Sequence, residues 1–186
     1  MAIKDILHET EDKMKKTFLA VKREFAEVRT GRASPGMVEG VLVDYYGTKT
    51  AIKQLATIST PEPRLIVIHP WDASIITQVE KAILQSNLGL TPNNDGKVIR
   101  ITIPHLTDER RQGLGKIVKS IAENGRVSLR TARRDANESL KQLEKSKEIA
   151  EDERFKSQDE VQKLIDKYIA QVEEALEAKE KDIREG

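Results

Sequence analysis

Three stretches of this chain carry narrow apolar stripes at helical spacing, and a segment with a different period separates the first from the other two. In residues 3–29, Leu7, Met14, Val21 and Val28 recur every seven positions, with Phe18 and Phe25 four after Met14 and Val21. The spacing predicts one helix with an a/d seam over about three heptads, interrupted at one d position by Glu11. A second helix is predicted from Thr107-Asp108-Glu109, a capping hydroxyl followed by two acids, to about residue 146, with Leu114, Ile121, Ala132, Ala136 and Leu143 on one arc. At 1.5 Å per residue it would be roughly 60 Å long. Gly113, Gly115 and Gly125 weaken its first half. After a break near residues 146–152, a last helix runs to about 183, its seam formed by Val161, Leu164 or Ile165, Tyr168, Val172, Ala175 and Leu176. None of the three can bury its stripe alone, so they are expected to pack as a bundle.

The first helix stops at Thr30-Gly31-Arg32-Ala33-Ser34-Pro35, and from Val38 the apolar period becomes two. Val41, Val43 and Tyr45 alternate and lead into a turn at Tyr46-Gly47-Thr48. Leu65-Ile66-Val67-Ile68 is a β-branched run ended by Pro70, and Ile99, Ile101 and Ile103 alternate after a turn at Asn93-Asn94-Asp95-Gly96. Between them a short helix is expected over about 73–87, capped by Asp72 and lined by Ile76, Val79 and Ile83. The fold class is therefore α+β: a long three-helix bundle of residues 1–30 and 106–186, with a small β/α/β domain of residues 31–105 inserted between bundle helices one and two. The chain crosses between them near 30–35 and 104–107, where Gly31, Pro35 and Pro104 suit either a hinge or a tightly docked connection.

Several function classes drop out. With no cysteine there is no disulfide, thiolate nucleophile or Cys-ligated metal. His8, His69 and His105 are scattered, so no metal site is expected. No G-x-x-x-x-G-K-[ST] is present, Asn94-Asp95-Gly96 lacks EF-hand spacing, and Trp71 beside Pro70 reads as packing. No catalytic constellation or cofactor site emerges. No apolar run approaches the roughly 20 residues of a membrane span. The mixed N-terminus, Met1-Ala2-Ile3-Lys4-Asp5, lacks a signal-peptide pattern. A cytoplasmic protein is the expectation.

Thirty-two basic side chains against thirty-one acidic ones give a net charge of +1, which looks unfavourable for nucleic-acid binding. The total is a cancellation. Residues 108–134 hold eight basic and three acidic side chains, whereas 135–186 hold ten basic and sixteen acidic. At about 100° per residue, Arg111, Lys119, Arg126, Arg130 and Arg133 share an arc of roughly 100° beside the apolar arc, with Arg134 adjacent. Arginine's planar fork suits bidentate phosphate contacts. The alternative is a face neutralised by acids of the last helix. Within the second helix the acids weighed against Arg126, Arg130 and Arg133 are Glu123 and Glu138, and neither is expected at the favoured spacing. An adaptor using its seams to pair with partner helices is a further reading, separable by sedimentation.

Five motifs, in order and at matching spacing over the whole chain, resemble the ribosome recycling factor family. They are Arg29-Thr30-Gly31-Arg32-Ala33-Ser34-Pro35; Tyr45-Tyr46-Gly47; Leu88-Gly89-Leu90-Thr91-Pro92; Pro104-His105-Leu106-Thr107-Asp108-Glu109-Arg110-Arg111; and Arg133-Arg134-Asp135-Ala136-Asn137. The family often has a second proline where His105 stands, a departure that bears on the stiffness of the second linker. The resemblance implies an L-shaped protein whose bundle and β/α/β domain are joined by a hinge at Arg29, Thr30, Gly31, Arg32, Pro35, Pro104 and His105. It implies a monomeric factor that binds the post-termination ribosome and, with elongation factor G and GTP, splits it into subunits, the GTPase chemistry belonging to the partner. The bundle would contact large-subunit ribosomal RNA near the peptidyl-transferase region, and elongation factor G would move the small domain. Arg133, with Arg111 and Arg130, matches arginines of the RNA-contacting face.

Overall fold

A computed structural model describes residues 3–186; the Met1-Ala2 part of the mixed N-terminal stretch lies outside them. The chain runs α1 (Ile3–Glu27), β1 (Leu42–Tyr45), β2 (Thr48–Ala51), β3 (Ala56–Glu62), β4 (Leu65–Pro70), α2 (Ile76–Gln85), β5 (Pro92–Asn94), β6 (Ile99–Thr102), α3 (Asp108–Lys145) and α4 (Glu151–Glu185). Its contacts divide it into two compact units. One holds the described residues up to Arg29 with Asp108–Arg184, and the other holds Thr30–Thr107 with Glu185–Gly186.

In the helical unit, the buried seam of α1 is Ile6, Thr10, Met14, Val21 and Phe25. The expected heptad register holds at Met14 and Val21, whereas Leu7 and Val28 are half-buried. The repeat that organises burial is eleven residues. It links Thr10 to Val21 and Met14 to Phe25 in α1, Leu114 to Gly125 to Ala136 and Val118 to Leu129 to Leu140 in α3, and Val161 to Val172 to Ile183 in α4. Eleven residues in three turns is 3.67 per turn, close to the natural period of the helix. A strict heptad would drift by about 20° per repeat unless the helices supercoiled left-handed.

Gly125, expected to weaken α3, lies in its buried seam, where a Cβ would stand 2.6 Å from Val21 Cγ2. The helix runs unbroken through all three glycines. Thr10 donates its hydroxyl to the Ile6 carbonyl at 2.7 Å, so its burial leaves that group satisfied. Glu11, the interruption in the α1 heptads, joins α1 to α4. It lies 3.2 Å from Lys167 Nζ and accepts a long 3.5 Å hydrogen bond from the Tyr168 hydroxyl.

Between α3 and α4, Lys147 adopts φ 62°. The Lys147 N–H donates to the Glu144 carbonyl and the Glu148 N–H to the Leu143 carbonyl, both at 2.9 Å, a Schellman closure with lysine in the usual glycine place. The Ala150 N–H then donates to Glu153 Oε2 at 2.9 Å, the return half of a capping box that starts α4.

The second unit is an antiparallel sheet of order β3-β4-β6-β5 beside a separate β1-β2 hairpin. Ile66 and Ile68 of β4 stand opposite Ile101 and Ile99 of β6. These residues share a core with Ile76, Val79 and Ile83 of α2. The hairpin turns on Tyr46 and Gly47, with φ 47° and 83°, the two positive values of a type I′ turn. Asp72 accepts the Ser74 N–H at 2.9 Å and caps the short 3-10 turn that leads into α2. The expected turn at 93–96 is corrected: Pro92–Asn94 pairs with β6, and the reversal begins at Asp95.

Both chain crossings are tied to one turn of this unit. The Ala33 N–H donates to the Pro63 carbonyl at 2.7 Å and the Ile103 N–H to the Arg64 carbonyl at 2.8 Å. The Arg64 guanidinium also meets His105 Nδ1. Gly31 takes φ +77°, and a Cβ there would meet Leu106 Cγ at 3.0 Å, so the two crossings touch where glycine is needed.

Candidate nucleic-acid interface

The arginine-rich stripe lies along α3 because α3 buries Leu114, Val118, Leu129, Ala136 and Leu140 on one arc. The cations flank that arc at 100° per residue. The structure divides them by what each one meets.

Arg126 is the most enclosed of those in ion pairs, with a fifth of its side chain exposed. Its Nε donates to Glu173 Oε1 of α4 at 2.6 Å and its Nη1 to Glu123 Oε2 at 2.7 Å. The hydrogen bond it donates to Glu173 is the largest cause raising its pKa above the ordinary guanidinium value, so it stays charged throughout. Arg130, half exposed, donates from Nη1 to Glu123 Oε1 at 3.1 Å. Hydrogen bonds from Arg126 first, and then Arg130, hold the Glu123 carboxyl below its usual range. Lys119 Nζ lies 3.8 Å from Glu180 Oε1 of α4, and Arg111 Nη1 donates to Asp108 Oδ1 at 3.3 Å.

Arg133 differs. Its Nη1 donates to the neutral amide oxygen of Gln162 at 3.2 Å. Gln162 is oriented in turn by its own Nε2, which donates to Asp166 Oδ1 at 2.9 Å. Arg134, next along, is 78% exposed, with its neighbour Asp135 at 3.8 Å.

The reading in which acids of the last helix neutralise this face therefore holds at Lys119 and Arg126, through Glu180 and Glu173. Arg130 instead pairs within its own helix, Arg133 rests on an amide of α4, and Arg134 lies beside Asp135. Glu123 pairs with both Arg126 and Arg130, correcting the expectation drawn from its spacing. Three residues is a helix-face neighbour, and seven residues is two turns, which returns to within 20° of the same bearing. The roles of Glu173, Gln162 and Glu180 had no local sequence signal, because each is set by how α3 and α4 pack.

Elsewhere, a cleft of about 1030 Å³ lies between the hairpin and α2, lined by Leu42, Tyr46, Lys49, Gln78 and Lys81 among others. Trp71, expected to pack, is two-thirds exposed and donates its indole N–H to Thr57 Oγ1 at 3.0 Å. Among the described residues no group of His, Asp and Glu could hold a metal ion, and no helix is long and apolar enough to cross a membrane.

Comparison with known proteins adds to this geometry. Residues 21–183 match the family model described as Ribosome recycling factor. A ribosome-recycling factor of Carboxydothermus hydrogenoformans is 56% identical over 181 residues, covering 97% of this chain and 98% of the relative. A solution structure of the ribosome recycling factor superposes with a TM-score of 0.76 at 45% identity, covering 100% of this chain and 99% of that one. A second similar structure, with TM-score 0.65, 40% identity and coverage of 98% and 99%, comes from models of the T. thermophilus ribosome recycling factor and the E. coli elongation factor G bound to the E. coli post-termination complex.

Proposed function

The chain belongs to the ribosome recycling factor family, and on that premise we propose that it docks on the ribosome through the face of α3 that carries Arg130, Arg133 and Arg134. Its function is to bind the post-termination ribosome and, with elongation factor G and GTP, to promote splitting into subunits for a new round of translation. The docking partner of the stripe is large-subunit ribosomal RNA, read through phosphates. GTP hydrolysis belongs to elongation factor G, and this chain supplies position and charge as a cytoplasmic monomer.

The observation that carries this reading is the state of Arg133. A guanidinium resting on an amide keeps its full charge for an incoming anion, and a phosphate offers a stronger, charge-assisted acceptor than the Gln162 oxygen it would displace. Arg130 and Arg134 flank it and extend the contact along one face. Arg111, Lys119 and Arg126 add to the local potential while holding intramolecular partners. Binding that neutralises several phosphates weakens steeply with salt, although the net charge of the protein is nearly zero. Arg133→Glu is expected to keep the helical circular dichroism spectrum and to stop the protein from sedimenting with ribosomes. Sedimentation equal to the parent protein would remove the stripe from the mechanism.

Pivoting between the units is part of the same proposal. Ala33 and Ile103 are hydrogen-bonded to the Pro63-Arg64 turn, so bending is confined to the short stretches 28–32 and 104–107. Arg29, Thr30, Gly31, Arg32, Pro104 and His105 lie in those stretches. Pro35 lies beyond the first, at the start of a 3-10 turn within the small unit.

A further inference from the structure

Glu123 bridges two arginines of the stripe. Its two carboxylate oxygens accept from two different guanidinium groups, Oε2 from Arg126 at 2.7 Å and Oε1 from Arg130 at 3.1 Å. This is the bridging arrangement that two non-ester phosphate oxygens would take up. The two arginines do not depend on it equally. Arg126 has a second carboxylate, Glu173 of α4, at 2.6 Å and stays neutralised if Glu123 leaves. Arg130 is half exposed, and its ion pair is with Glu123. Glu123 is itself half exposed, so it can swing into solvent without being buried uncompensated. An exposed pair of this kind gives up little when exchanged for another anion.

Resting on the docking reading above, we propose that Glu123 is an internal phosphate surrogate that occupies Arg130 in the free protein and is displaced by the RNA backbone on docking, so that it sets the affinity of the stripe. The carboxylate competes for Arg130 in every encounter with an anion. Arg133 and Arg134 escape this competition, because their nearest partners are an amide and a distant neighbouring carboxylate. Docking then begins at the unguarded pair and is completed by exchange at Arg130. The depressed pKa of Glu123 agrees with this, since both arginines hold it in the charged form that competes.

The test is a double-mutant cycle on affinity for vacant ribosomes, read with the full-length protein. Glu123→Gln keeps the shape and removes the charge, and Arg126 keeps Glu173. The variant is expected to bind more tightly by a factor of about three to ten, and that gain is expected to vanish in an Arg130→Gln background. Glu138→Gln, fifteen residues further along α3 where Glu138 accepts from Gln142, controls for the general change in charge. A gain that persists without Arg130, or that Glu138→Gln reproduces, would reduce Glu123 to a long-range charge and overturn the proposal. Unchanged affinity in Glu123→Gln, with binding lost in Arg133→Glu, overturns the surrogate and leaves the stripe standing. Unchanged affinity in both variants removes the stripe and the surrogate together.

Discussion

Gly125 of α3 and Val21 of α1 meet so closely that a methyl group on residue 125 would stand 2.6 Å from Val21 Cγ2. Helix propensity alone would favour alanine there by about 1 kcal/mol. Packing opposes it, since forcing a methyl into a filled seam costs about 1–3 kcal/mol. Gly125→Ala is therefore expected to lower the urea midpoint of the helical unit. Gly113→Ala, where an added Cβ meets nothing within 4 Å, should raise the midpoint, with a gain in stability of up to about 1 kcal/mol. Equal effects of the two substitutions would mean that the close approach does not decide the matter.

Arg126 and Arg133 stand on the same stripe and should respond differently. Arg126 links α3 to α4 through Glu173, so Arg126→Gln is expected to lower stability by about 1 kcal/mol, a charged hydrogen bond discounted for partial exposure. Its ribosome affinity should fall far less than that of Arg133→Glu. Chemical denaturation and ribosome sedimentation on the two variants separate the clasp from the docking residue.

Asp95 organises the turn between β5 and β6. Its Oδ1 accepts the N–H groups of Lys97 and Val98, each at 2.9 Å, and its Oδ2 meets the Arg100 guanidinium. The Val98 backbone hydrogen bond leads, with Arg100 and Lys97 adding, in holding its carboxyl well below the usual range. A folded-state pKa below the unfolded value of about 3.9 gives a contribution that is complete above that value and declines as pH falls through it toward the folded pKa. The Asp95 carboxyl is expected to remain ionised at pH 3 in a carbon-detected NMR titration. Asp95→Asn should flatten the acid limb of the stability profile of the small unit. An ordinary titration near pH 4 would contradict the assignment.

Gly31 combines a left-handed backbone with a contact to Leu106, where an added Cβ would lie 3.0 Å from Cγ. Gly31→Ala is expected to strain the first crossing by about 1 kcal/mol or more and to slow subunit splitting more than it weakens ribosome binding. Parallel losses in the two assays would argue against a pivot at this crossing.

Much of this was legible in sequence, and the exceptions share a cause. The three long helices, the Asp72 cap and the hairpin turn at Tyr46-Gly47 are local patterns and appear where expected. β2, β3 and β5 were missed. Thr48–Ala51, Ala56–Glu62 and Pro92–Asn94 are rich in Thr, Ser, Pro and Asn, have little apolar alternation, and are strands because a neighbour supplies their hydrogen bonds. The heptad reading of α1 began from Leu7, and burial instead follows Ile6, because the helix keeps its own period rather than supercoiling to fit a strict repeat of seven. The stripe was legible as a charge pattern. Which of its members are occupied was not, because Glu173, Glu180 and Gln162 reach it from another helix.

The most direct test is light scattering of post-termination ribosomes mixed with elongation factor G and GTP. The account predicts a fall in scattering, as 70S particles become subunits, when this protein is added and no fall when Arg133→Glu replaces it. An equal fall with Arg133→Glu would contradict the claim that α3 docks the factor through this face.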